Sequence, residues 1–136
     1  MFRRGNSEHE RGQALVEFAM VMPIMLLLLF ALVDFGRAFY SWLLITNAAR
    51  EGARVAATQS PLTDVETRVY DAASALDAAS ITITTTNVQG PRGEIVRVNL
   101  AYSFSFVTPI GDLAALVGGS SISAPTITGQ SSMRLE

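Results

Sequence analysis

The sequence predicts an α+β protein, a long N-terminal helix that spans a membrane over its first half and packs beyond it against a small antiparallel β-sheet of about three strands. Three observations carry this reading. Ala14 to Val33 is an apolar run with a single charge, Glu17. Helical spacing of apolar residues continues past that run to about Thr58. From Ile81 onward the period changes from three-and-four to two, the mark of half-buried strands.

The apolar run sets the anchor. As a helix rising about 1.5 Å per residue, it reaches roughly 30 Å, the thickness of a bilayer's hydrocarbon core. The polar chain beyond Thr58 is too short to cover all sides of such a rod, which argues against a buried core helix. A secretory signal peptide has a shorter apolar core followed by a small-residue cleavage site, whereas here "DFGRAFYSWLL" follows. The expected transmembrane helix covers 13–33. Arg3, Arg4 and Arg11 precede it, so the positive-inside tendency places the N-terminus in the cytoplasm and the C-terminal part outside. Pro23 removes one backbone hydrogen bond, and a kink is expected there.

Residues 34–58 read as an extracytoplasmic continuation of the same helix. Phe35, Phe39, Trp42, Ile45 or Thr46, Ala49, Ala53 and Ala56 recur at helical spacing, with Arg37, Ser41, Arg50 and Arg54 expected elsewhere on the surface. Phe35, Phe39, Tyr40 and Trp42 fall where an interfacial aromatic belt is expected. Ala48, Ala49, Gly52, Ala53, Ala56 and Ala57 permit close packing of another element. Gly36 and Gly52 point to packing or bending, because glycine inside a helix costs about 1 kcal/mol.

A small α+β domain is expected over 59–136. In "SPLTDVETRVYDAASALDAA", Ser60 is placed to cap, Pro61 suits the first helical position, and Leu62, Val65, Val69, Ala72 or Ala73, and Leu76 form one stripe. Asp64, Arg68, Asp71 and Asp77 face water. "ITITTTNV" and "EIVRVNLAYSFSFV" read as a hairpin over 81–107, turned by "QGPRG", with Val96, Val98, Leu100, Tyr102, Phe104 and Phe106 on one face. "TPIGDLAALVGGSS" is a connection with one helical turn. "SAPTITGQSSMRLE" supplies a third strand, placed at the edge because Pro125 cannot donate a ladder hydrogen bond.

Composition bears on chemistry. The formal net charge is −2 and every basic residue is arginine, which gives no electrostatic case for nucleic acid. With no cysteine, no lysine and one histidine, His9, in the N-terminal segment, thiol, Schiff-base and triad mechanisms lack their residues. Asp64 and Glu66 do not face each other on a helix. Gly90, Gly93, Gly118 and Gly119 fit turns. No catalytic, cofactor-binding or metal-binding residues are expected.

Glu17 is the anomaly. A carboxylate within the apolar region is costly, about 2.5–3.5 kcal/mol for the comparable aspartate at a membrane centre, and no positive partner lies at its depth on this helix.

"RGQALVEF" resembles the processing site of type IV pilin-like proteins, in which a basic leader ends in glycine and glutamate is the fifth residue after the cut. More narrowly, "RGQALVEFAMVMPIMLLLLFALVDFGRAF" followed by "AAREGARVAA" resembles the TadE-like family of the tight-adherence pilus system. The resemblance covers about residues 11–57, and Phe18 fits the aromatic residue that often follows the glutamate. It implies a pilin-like fold and a basic leader at 1–12, cut between Gly12 and Gln13 by a prepilin peptidase. It further implies a subunit anchored by one span in the bacterial inner membrane, with other pilins or pseudopilins and pilus assembly platform proteins as partners beside membrane lipid. Glu17 would then meet the N-terminal amine of a neighbouring subunit. The extracytoplasmic domain favours a minor pseudopilin over the main filament protein. The alternative is an unprocessed, single-pass anchored binding domain.

Overall fold

The computed structural model describes residues 6–118 and 124–136. Arg3 and Arg4 of the leader, and Gly119 in the connection before the last strand, lie outside them.

Helix α1 runs from Asn6 to Ala57 and passes through Gly12, Pro23, Gly36 and Gly52 without a break in assignment. Its 52 residues measure about 78 Å at the standard rise. It begins some two turns before the expected start at Gln13. The most apolar stretch is covered by no other part of the chain and is long enough to cross a membrane. That exposure separates it from the buried core helix of a soluble protein, which reaches similar hydropathy under a protein coat.

Beyond the apolar run, one face of α1 is buried. Its stripe is Asp34, Ser41, Ile45, Ala48, Ala49, Gly52, Ala53 and Ala56. The expected stripe through Phe35, Phe39 and Trp42 is corrected here: all three are exposed, and Ser41, placed on the surface by its polarity, is buried. Both faces have helical spacing in this turn-rich region. The sheet selects the one with small side chains because its backbone approaches closely.

Helix α2 spans Leu62–Ala72 and lays Val65 and Val69 on α1, with Ala73 buried just after its end. Gly52 makes that contact possible: a Cβ there would lie 2.6 Å from Val69 Cγ2 and 3.4 Å from Val98 Cγ1. Pro61, not Ser60, occupies the N-cap, and no side chain caps the helix. The Ser60 hydroxyl instead lies 3.1 Å from that of Thr58. A single 3₁₀ turn, Ala78–Ser80, follows, with the Asp77 carboxylate accepting from the Ala79 amide at 3.1 Å.

The sheet has three strands, β1 (Ile81–Thr86), β2 (Ile95–Ser103) and β3 (Thr126–Arg134), in the order β1-β2-β3, all antiparallel. The expected hairpin and edge placement of the third strand hold. Val96, Val98 and Leu100 are buried against α1 and α2, whereas Thr84, Asn99 and Gln130 on the opposite face are open or half-open to water. The alternation of β2 continues past its end, with Phe104 buried in the loop. Gly93 takes φ +90° in the β1–β2 turn, a conformation that side-chain-bearing residues disfavour.

Gly129 in β3 is the closest approach of sheet to helix. A Cβ there would meet Ile45 Cγ2 at 2.8 Å and the Ile45 carbonyl carbon and oxygen at 3.0 Å. The C-terminal segment closes the far end, where Leu135 is buried and the Glu136 amide donates to the Ala57 carbonyl at 3.0 Å. Between β2 and β3, the expected single turn is a longer helix, α3, Ile110–Gly118. Leu113 to Leu116 is a run of good helix formers that sustains the extra length.

Candidate functional site

Two places on α1 carry chemistry: the N-terminal motif around Glu17 and the boundary between the apolar run and the sheet. They differ in kind. One is uncovered by the chain, and the other is built by it.

Gly12, Gln13, Glu17 and Phe18 all lie exposed on helical backbone. A Cβ on Gly12 would meet nothing within 4 Å. The Gln13 side-chain amide donates to Glu17 Oε1 at 3.0 Å, one turn apart. Glu17 therefore has a neutral partner on its own helix, which the search for a cation passed over although the i, i+4 spacing was visible. That bond satisfies one oxygen and leaves the charge. Among the described residues no ion pair involves Glu17. Pro23 lies within the uncovered stretch, in continuous helix.

The boundary is organised by Asp34, the first residue past the apolar run and, with Ser41, one of two buried polar residues among those described. Its carboxylate accepts from the Val107 amide at 3.1 Å, from the Thr108 amide at 3.3 Å and from the Thr108 hydroxyl. Arg37 Nη1 lies 3.4 Å from Asp34 Oδ1 and donates to the Ser105 carbonyl at 3.2 Å. The same guanidinium sits 5.3 Å above the Phe104 ring, a cation–π distance, and Phe106 meets Phe104 edge to face at 5.5 Å. Burial pushes the Asp34 pKa up. The Thr108 hydroxyl, the Val107 and Thr108 amides and Arg37 together outweigh it and hold the carboxyl below its ordinary value. The result is a clamp that ties the β2–α3 loop to the helix at the end of the apolar run. Sequence reasoning missed it. An acid followed by Arg37 at i+3 was the local signal, but its principal partners are some seventy residues away.

Phe35, Phe39, Tyr40 and Trp42 surround this level, all exposed, with Phe39 and Trp42 rings 5.8 Å apart. Beside the clamp, a cleft of about 360 Å³ is lined by Ala31, Phe35, Ala38, Phe106, Ile127 and their apolar neighbours, with Asp34 at its edge. A further cleft, on the outer sheet face, is lined by Thr84, Asn99, Thr128, Gln130 and backbone, with no ionisable side chain. Another, beside the β2–α3 loop, holds the single carboxylate Asp112.

Fold and site together define a class, an α+β protein whose one long apolar N-terminal helix suggests a membrane anchor and continues as the spine of a small sheet. Within that class, residues 12–54 match the model of the family described as TadE-like protein. The match starts at Gly12, the residue after which the resemblance places the cut, and ends inside the small-residue stripe under α2 and the sheet. No curated protein and no solved structure matches the chain.

Proposed function

We propose that this protein is a pilin-like, membrane-anchored subunit that takes part in assembly of a tight-adherence pilus as a minor pseudopilin without enzymatic activity. The observation that carries the proposal is the TadE-like match over residues 12–54, a range that starts at Gly12 and includes Gln13, Glu17 and Phe18. The anchor lies in the bacterial inner membrane with its N-terminus in the cytoplasm, and the sheet domain faces outward. Its partners are lipid, a prepilin peptidase, other pilins or pseudopilins and the assembly platform.

In this reading the peptidase cuts between Gly12 and Gln13. That bond lies within α1, so the helix has to open locally for the peptide to enter an active site. Glycine makes this the cheapest point, costing the helix about 1 kcal/mol relative to alanine. The cut creates an amine on Gln13. Glu17 of a neighbouring subunit accepts it, and two charges that are each costly in lipid neutralise each other on assembly. Until then the Gln13 amide holds Glu17 in a defined rotamer. Pro23, which lacks the amide hydrogen of a helical residue, and Gly36, whose surroundings are open, are the points at which packed helices loosen or bend.

Intact mass of the membrane-extracted protein tests the processing step. A mature N-terminus at Gln13 is expected in cells with an active peptidase, and an intact leader there returns the protein to the class of unprocessed anchored domains. Glu17→Ala should insert normally yet fail to enter assemblies. Unchanged pilus assembly by that variant sinks the pairing role.

A further inference from the structure

We propose that the underside of the sheet domain, formed by Val107, Leu113 and Leu116 beside the cleft over Ala31, is a second membrane-contacting surface seated in the leaflet where the anchor emerges. The inference rests on the anchor and does not require a pilus.

Height is the first argument. Asp34 directly follows the apolar run, and its carboxylate holds the Val107 and Thr108 amides. These hydrogen bonds fix residues 107 and 108 at the level where α1 leaves the hydrocarbon. Helix α3 starts two residues later, at Ile110. It begins tightly against the loop: a Cβ on Gly111 would lie 2.8 Å from Phe106 Cβ. The helix therefore cannot swing far from the membrane boundary while the clamp is closed.

Continuity is the second. The apolar cleft is shared between the domain, through Phe106, Ile110 and Ile127, and the span, through Ala31 and Phe35. Ala31 lies one turn below Asp34, inside the stretch long enough to cross a membrane. The lipid-facing surface of α1 thus passes into a cleft under the domain in which Asp34 is the one polar side chain among the described lining residues. Phospholipid is the occupant already present on that surface.

The chemistry of α3 is the third. Leu116 is 84% exposed, Val107 69% and Leu113 46%, while Asp112 is the helix's single charged residue. Leaving such side chains in water forgoes the favourable transfer of their apolar surface out of it. An apolar helix face laid 5–10 Å into the headgroup boundary recovers part of this. Arg37 completes the arrangement. Part of its side chain is exposed, and its guanidinium, held by Asp34 and Ser105, stands where phosphates lie.

The cysteine-free sequence provides a direct test in the full-length protein. Single cysteines at Val107, Leu116, Thr84 and Leu28 are labelled with an environment-sensitive fluorophore in phosphatidylcholine–phosphatidylglycerol vesicles carrying nitroxides at defined chain depths. All four positions are exposed, so the labels do not enter the core. The expected result is several-fold stronger quenching at Val107 and Leu116 than at Thr84, strongest for shallow nitroxides, with Leu28 quenched by deep ones. Quenching at Val107 and Leu116 no greater than at Thr84 overturns the proposal. So does quenching only by nitroxide-labelled second copies, which would make the patch a contact between chains. An unquenched Leu28 removes the anchor and this surface with it.

Discussion

Asp34 shows how one residue can join two distant segments. Its removal as Asp34→Ala leaves the Val107 and Thr108 amides and the Thr108 hydroxyl without their acceptor. Each unsatisfied buried donor costs about 1–3 kcal/mol, and we expect a loss of about 2–4 kcal/mol by denaturant titration in micelles, with the β2–α3 loop losing hydrogen-exchange protection first. The pH dependence follows from the lowered pKa. The unfolded carboxyl titrates at its ordinary value and the folded one below it, so the folded state gains stability from the ionised form. That gain is complete above the unfolded pKa and is lost as pH falls through the folded one. An acid titration of the unfolding midpoint should therefore decline below about pH 5, and Asp34→Asn should flatten that limb. An unaltered limb in the variant would assign the acid sensitivity elsewhere.

Two glycines belong to the same scale and separate by what surrounds them. Gly52→Ala meets Val69 Cγ2 at 2.6 Å, on a buried branched side chain with one preferred rotamer in a helix, whereas Gly129→Ala meets the Ile45 side chain at 2.8 Å and the Ile45 backbone at 3.0 Å. Overpacking costs about 1–3 kcal/mol, and thermal unfolding should show both substitutions destabilising, with Gly129→Ala near the top of that range and Gly52→Ala lower because alanine's better helix propensity offsets about 1 kcal/mol of its clash. Gly36→Ala, with open space around it, should not destabilise the isolated subunit.

At the scale of elements, α1 has two environments along one continuous helix. From Ala14 to Val33 it presents apolar side chains all round apart from Glu17, and beyond Asp34 it presents a narrow stripe of mostly small residues to α2 and the sheet. Ile45 is the one large fully buried side chain of that stripe. Ile45→Ala should cost about 2–5 kcal/mol in the same denaturant assay. The ion pairs of Glu51, one within α1 and one to α2, are of another kind. Glu51 accepts from Arg54 at 2.8 Å and from Arg68 at 2.9 Å, which lowers its pKa, but all three side chains retain contact with solvent. Glu51→Gln should shift the unfolding midpoint only slightly, and high salt should erase the difference. The two kinds of contact also explain what could be read from the chain. Hydrophobic period identified α1, α2, the hairpin and the third strand. It places Ile45, Ala49, Ala53 and Ala56 on the buried face of α1, as observed, but extends that stripe through Phe35, Phe39 and Trp42, which repeat at the same spacing and are exposed. It also shortened α3, where glycines flank a helix only nine residues long.

At the scale of the molecule, the helix carries the proposed processing motif near one end and a folded domain at the other, linked by the apolar stretch. The clamp at Asp34 prevents the domain from riding freely on α1, so any force on the anchor is passed to the sheet through Asp34, Ile45 and the Gly52 contact. The sequence by itself determined the anchor, the α+β class and the motif from Gly12 to Phe18, because each rests on local composition, spacing or a short contiguous pattern. Only the tertiary structure decided which face of α1 is buried, why Gly129 has to be glycine and what Asp34 holds. Those depend on contacts between residues tens of positions apart, formed only when the sheet closes on the helix.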